Sequence, residues 1–202
     1  MTDPTFHINT PRLTLSYLQP SNDTHCDFLV ALYNSPEFIA SCGGSPTPIT
    51  SRDAARARLA GRFRAEHARN GYGTLLVSLK TAPSDNGDGN GNGIPIGTVA
   101  LMRGEEPDRY GAPDLGFAVL PGYMRKGYAT EAARGLLDFV AERMGVVEVF
   151  GFFDPANTVS GKVFRRLGFE DRGARALRVF GGAVSCVWTA PGMAEDLGVY
   201  GL

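Results

Sequence analysis

The chain has 202 residues and a mass of 21.6 kDa, enough for one domain with a core that needs no disulfide or metal staples. Hydrophobic residues make up 43% and charged residues 20%, with 20 Lys plus Arg against 21 Asp plus Glu, a net charge of -1. That balance excludes a binder driven by basic excess, whether its partner is nucleic acid or an anionic membrane surface.

A first strand is expected at 12–18, where Leu13-Thr14-Leu15-Ser16-Tyr17-Leu18 alternates imperfectly before Pro20. Ser21-Asn22-Asp23 offers N-cap chemistry for a helix through Phe28, Leu29, Leu32 and Tyr33. After the loop Gly43-Gly44-Ser45-Pro46-Thr47-Pro48, Thr50 or Ser51 caps a second helix that stops before Asn70-Gly71. Its arginines, Arg58 and Arg64 among them, read as a solvated face. Two apolar runs at 74–79 and 94–102 read as paired strands. Between them Asp and Asn alternate with Gly over 84–93. The spacing and terminal Glu of a calcium loop are missing and its flanks are strands, so 81–93 reads as a flexible hairpin insertion. Glycine is abundant, 26 of 202 residues against a usual ~7%, and this insertion makes much of that excess spacer.

A strand at 114–120 ends at Pro121-Gly122. A helix over about 127–144 carries Ala129, Ala133, Leu136, Leu137, Val140 and Met144 on one stripe. A strand is expected at 146–153, then a short helix from Asn157 closed by Gly168. Two last strands are placed near 177–180 and 183–189, around Gly181-Gly182. Helical crossovers between the later strands imply locally parallel pairing. Cys26, Cys42 and Cys186 are odd in number and widely spaced, and His7, His25 and His67 share no ligand spacing. No disulfide framework and no metal site are expected. With no signal-like N-terminus and no long apolar span, a cytoplasmic protein without membrane attachment is expected.

The chemistry concentrates where the strand at 114–120 feeds a loop opening directly onto a helix. A helix start presents unpaired N–H groups and a positive dipole end, which favour an anion. Gly127 and Ala129 leave the main chain approachable, and Arg125 and Lys126 add positive charge. Glu131, in the first turn, suits the same dipole. Other phosphate and nucleophile motifs fail: Gly161-Lys162 is followed by Val163, and neither GxGxxG nor GxSxG is present in the required context.

These residues resemble the pyrophosphate loop of the GNAT acetyltransferases, Gln/Arg-x-x-Gly-x-Gly/Ala, and within them the RimJ/RimL-type ribosomal-protein N-terminal acetyltransferases. Gly127 and Ala129 match its last two defined positions, and Tyr128-Ala129-Thr130-Glu131-Ala132 continues as that subgroup does. Met124 stands at the Gln/Arg position and Arg125 where glycine is usual, which implies altered loop geometry. Asn157-x-x-Ser160 followed by Leu167-Gly168-Phe169 matches the subgroup's second signature, and Thr10-Pro11-Arg12-Leu13-Thr14-Leu15 its first strand.

The resemblance covers about 10–190, leaving a 1–9 extension and a 191–202 tail. It implies a single GNAT-type α/β (α+β) domain. Its mixed, mostly antiparallel sheet would have about six to seven strands, splayed in the middle and flanked by about four helices. It implies acetyl-CoA as co-substrate, no metal, and an amine acceptor such as a protein N-terminus or a small molecule, in a monomer or homodimer. Backbone groups of Val119 and Leu120 would align the pantetheine, with the Val119 N–H on the thioester carbonyl. Met124, Arg125, Lys126, Gly127, Tyr128, Ala129 and Thr130 would hold the pyrophosphate. Asn157 would contact the pantetheine amide, cap its helix, or both. Many members carry a tyrosine acid seven residues after that Asn, where this chain has Phe164. Ser160 would then meet the leaving thiol, or simply pack. Asp114 stands where the subgroup often has a Glu base, or is a solvent-facing strand start. Tyr72, Tyr110 and His67 are further candidates for an acceptor pocket. A catalytically weak acyl-CoA-binding module is the alternative function.

Overall fold

The computed structural model describes residues 5–81 and 93–202. The expected insertion therefore falls almost wholly outside the described residues. Eight strands form one open sheet, in the order β1-β2-β3-β4-β5-β6-β8-β7. In chain order they are β1 (His7–Asn9), β2 (Leu13–Tyr17), β3 (Thr74–Leu79), β4 (Ile94–Met102), β5 (Asp114–Val119), β6 (Phe150–Phe153), β7 (Glu170–Leu177) and β8 (Ala183–Thr189). All neighbours are antiparallel except β5 and β6.

The helices form where caps and apolar stripes coincide. α1 (Asp23–Tyr33) starts at Asn22, whose side chain accepts from the Thr24 and His25 amides. α2 (Pro36–Ser41) starts at Ser35, with Pro at the first position. α3 (Arg52–Arg58) is capped by Ser51, passes through a π-helical turn at Leu59–Phe63, and continues as α4 (Arg64–Asn70), so these form one continuous helix. It ends at Gly71, which takes φ 77°. α5 (Tyr128–Met144) connects β5 to β6, and α6 (Thr158–Leu167) connects β6 to β7.

Four expectations need correction. The sheet has eight strands rather than six or seven, because His7–Asn9 pairs with β2. There are five helices rather than four, because Ser35-Pro36 starts an extra one. The strand expected at 146–153 begins only at Phe150: Gly145 ends α5 in the left-handed region, and the Val146 amide still bonds back to Val140 O. The strand placed at 177–180 lies earlier, at Glu170–Leu177, while Arg178–Phe180 is a short 3-10 turn. β7 is a largely exposed edge strand, so it lacks the apolar alternation that marks a strand in sequence.

Two cores sandwich the sheet. On one face α5 and α6 pack Ala132, Ala133, Leu136, Val140, Val163, Phe164 and Leu167 against Leu13, Leu15, Val99, Leu115 and Phe150. On the other, α1 and the 52–70 helix pack Phe28, Leu29, Leu32, Ala55, Leu59 and Phe63 against Leu18 and Leu76. Met193, Leu197 and Tyr200 return the C-terminal segment to the first core.

Candidate active site

β5 and β6 meet at a single residue pair, Asp114 opposite Phe150, with the Phe150 amide donating to Pro113 O at 2.8 Å. Beyond it the two strands part. On the other side of β5, the Leu120 amide donates to Ile96 O at 2.8 Å, and Val119 stands opposite Gly97. Antiparallel ladders alternate bonded and non-bonded pairs, so Phe117 and Val119 turn their N–H and C=O groups away from β4, toward the gap. Val119 thus presents a backbone donor to the cleft. Leu120 does not: its amide serves Ile96, and its carbonyl accepts from Tyr123 N at 2.9 Å.

The loop after β5 turns through Pro121–Tyr123 into the N-terminus of α5. Gly127 stands at the N-cap with φ 83° and no side chain caps this end. The amides of Tyr128, Ala129 and Thr130 therefore have no acceptor within the helix. Arg125 also lies in the left-handed region, φ 62°, so the backbone keeps a glycine-like turn without glycine there. Lys126 Nζ donates to Gly122 O at 3.0 Å and lies over the Tyr123 ring. Met124 is exposed, and its amide closes onto Pro121 O.

What holds this loop is distant in sequence. Glu131 accepts from Thr10 Oγ1 at 2.6 Å, from the Arg12 amide at 2.8 Å and from Arg12 Nε at 2.6 Å. Arg12 Nη1 also donates to Lys126 O at 3.0 Å, and its guanidinium lies 4.6 Å from the centre of the Tyr128 ring. These bonds hold the Glu131 carboxyl below its usual range despite partial burial. Glu131 is thereby engaged by Thr10 and Arg12, and it does not cap the loop amides.

Asn157 Oδ1 accepts from the Ser160 amide at 3.2 Å, so Asn157 caps α6. Ser160 is half-buried, and its hydroxyl makes no hydrogen bond to any described residue. Phe164 is 1% exposed and stacks on Phe153 with ring centres 5.6 Å apart. Its ring edge meets the backbone at Gly151, where a Cβ would collide with it. The aromatic at this position is core.

Asp114 lies at the point where the strands diverge. Its carboxyl is pushed up to about 7, chiefly by desolvation, with a further push from Glu66; its own backbone amide opposes both. Side-chain alternation puts Leu115 with the α5–α6 core and Ala118 with the α1–α3 core, so Asp114 shares the latter face. Tyr72 stands close enough to feel both carboxylates and Arg103. Tyr110 is core, its hydroxyl accepting from the Arg178 amide at 3.0 Å. His67 lines a separate cavity of about 120 Å³ with Tyr17, Leu75, Phe139 and Val140. Its Nε2 bonds Thr74 O at 2.9 Å, its Nδ1 is buried without a partner, and burial lowers its pKa. Among the described residues no His, Cys, Asp and Glu converge as a metal group, and no helix is long and apolar enough to cross a membrane.

The arrangement can seat an anion on α5, align an amide-bearing chain along β5, and offer a carboxyl poised to exchange a proton near neutrality. The family profile described as acetyltransferase (GNAT) domain matches residues 12–170. An uncharacterised N-acetyltransferase of Bacillus subtilis, YnaD, is 30% identical over 60 residues, 30% of this chain and 35% of that protein. The match thus spans about a third of that relative's length. Among solved structures, the ribosomal-protein-S5-alanine acetyltransferase of Vibrio fischeri superposes with TM-score 0.67 at 18% identity, over 95% of this chain and 97% of that one. The microcin C7 self-immunity acetyltransferase MccE, in complex with acetyl-CoA and AMP, superposes with TM-score 0.67 at 14% identity, over 89% and 92%. Those two likenesses speak for the fold; the profile, covering most of the sequence, shows the family, and the chain belongs to the GNAT acetyltransferases.

Proposed function

We propose that the chain transfers the acetyl group of acetyl-CoA to a primary amine by direct attack within a ternary complex, in the manner of the RimJ/RimL-type enzymes. The observation that carries this reading is the divergence of β5 from β6 after one pair, with Asp114 at its apex and the Val119 N–H facing its opening. The residues present fit acetyl-CoA. Lys126 to Thr130 open an uncapped helix end to the pyrophosphate, and Gly127 leaves the approach clear. Acetyl-CoA bound there supplies an activated thioester. The Val119 N–H would donate to its carbonyl oxygen, a contact of the kind worth about 3 kcal/mol to a developing oxyanion. Asp114 takes a proton from the attacking nitrogen as the C–N bond forms and the C–S bond breaks. The Ser160 hydroxyl meets the departing sulfur.

Thiol release from acetyl-CoA over a panel of primary amines tests the reading. Turnover on at least one amine is expected, with kcat/KM rising as pH climbs through about 7, because the base must lose its proton before it can accept one. Tight acetyl-CoA binding with no release on any amine would favour the second reading, an acyl-CoA-binding module. Phe164 supports that alternative, since it has no proton to give a thiolate.

A further inference from the structure

Among the described residues two buried side-chain polar atoms have no hydrogen-bond partner, His67 Nδ1 and Asn70 Nδ2. His67 is 6% exposed and lines the cavity of about 120 Å³ between the C-terminal half of α5 and the sheet. Its tautomer follows from its other nitrogen. Nε2 lies 2.9 Å from Thr74 O, a carbonyl that can only accept, so Nε2 carries the hydrogen and Nδ1 is a bare acceptor. Burial disfavours the charged ring, which keeps that acceptor bare. The ring is also fixed in place. Its Cδ2 edge lies against Gly73, where a Cβ would come within 2.7 Å, and the Tyr17 ring meets it edge to face with centres 5.1 Å apart. A buried acceptor without a donor is costly, and this one belongs to an immobile ring in a cavity wall.

The rest of the wall sets the size and polarity of an occupant. Phe6 stacks on Tyr17 with centres 4.5 Å apart and meets Phe139 edge-on at 5.5 Å, while Leu75, Leu136 and Val140 add aliphatic surface. A cavity of roughly 150 Å³ with walls of this kind stays dry and takes benzene, so this one has room for a single small ring. Water suits it poorly. A buried water settles with about three hydrogen bonds, whereas here Nε2 is already bonded to Thr74 O and the Tyr72 hydroxyl to Arg103. Met144, the last residue of α5, closes one side with a flexible thioether whose Cε would lie 2.7 Å from a Cβ on Gly71. Met144 is 38% exposed, so a change of its rotamer opens a way in.

We propose that this cavity binds a neutral, single-ring molecule that donates one O–H or N–H hydrogen bond to His67 Nδ1, phenol being the simplest of the class. The site lies with the α5 core on one face of the sheet, apart from the cleft between β5 and β6. It stands independently of the acetyltransferase reading.

Titration of the wild-type chain and of His67→Gln with phenol and with toluene, followed by NMR, tests it. Toluene has the same ring and no donor. The Gln side chain keeps an N–H for Thr74 O and removes the Nδ1 acceptor. Phenol should bind the wild type and shift the resonance of the unprotonated His67 ring nitrogen well beyond any shift caused by toluene. His67→Gln should weaken phenol about tenfold, the worth of one hydrogen bond, and leave toluene affinity within about twofold. Absence of phenol binding would overturn the proposal. So would a ring nitrogen that phenol moves no further than toluene does, or a Gln variant that keeps its full affinity for phenol. If His67→Gln does not fold, the nitrogen signal of the wild type decides the matter alone.

Discussion

Two neighbouring side chains on α6 differ in how completely they are packed. The Ser160 hydroxyl makes no hydrogen bond to any described residue, while Phe164, one turn on, stacks on Phe153 and meets Phe169 at a tilt. Ser160→Ala is expected to lower kcat at least several-fold with acetyl-CoA affinity held, measured by thiol release and calorimetry. Full activity would reduce Ser160 to a packing residue. Phe164→Tyr would drive a hydroxyl against the Gly151 backbone. It should cost about 1–3 kcal/mol in urea unfolding without raising turnover, despite restoring the aromatic that many relatives use. Local roles of this kind were legible in the sequence: Asn22, Ser51 and Asn157 cap as their types suggest, and Gly71 and Gly168 close helices. Glu131 illustrates the opposite. The helix dipole explains its place in the first turn, but the Arg12 and Thr10 bonds that fix it come from residues about 120 positions away. No pattern in a single sequence encodes such a pairing.

Elements were readable in proportion to their apolar signal. β3 and β4 are largely buried runs and β5 is an apolar, half-buried one, and all three matched their expected bounds to within a residue. β1 has three residues, and β7 is a polar edge, so both depend on neighbours for their strand conformation. The hairpin joining β3 to β4 carries a prediction at this scale. Its base is closed by Leu79 opposite Ile94 and Ser78 opposite Pro95, and Gly93 packs directly on Leu79 O. Replacing 82–92 with a short Asn-Gly turn, with Gly93 kept, should leave circular dichroism, Tm and acetyl-CoA affinity near wild type. Loss of folding would make the insertion structural. The loop between β5 and α5 should be far less forgiving. Gly127→Val would place a β-branched side chain at φ 83°, with its Cβ 3.4 Å from Arg12 Nη2. Acetyl-CoA affinity should fall more than about tenfold while the fold persists.

Across the whole molecule, β1 to β5 form one half-sheet and β6, β8 and β7 the other, joined by a single residue pair. The outline was readable because its two signatures flank this seam, at 124–130 and 157–169. The count of strands in each half was not, because both outer edges are weakly patterned. The seam is bridged besides by packing from α5 and α6 and, at the end where the strands meet, by Arg178 bonding to Tyr110 and Arg109 and by the Gly111 amide bonding to Tyr200 O. A co-substrate lying in the gap would bond to β5 and to the α5 amides at once. Acetyl-CoA at about 100 times its Kd should therefore add about 2.7 kcal/mol to unfolding, read as a rise in Tm, and no shift would refute the cleft as its site.

The same seam has a mechanical meaning. A sheet normally resists opening because every strand is laced to two neighbours, but here the lacing is nearly cut through the middle. Thermal opening should start along that line rather than at the polar edges. Amides of β6 should exchange with deuterium well before those of β3, which is laced on both sides by β2 and β4. A substrate filling the gap would then be a working part of the architecture, supplying rungs that the chain leaves out, so that the molecule would be at its stiffest only while loaded.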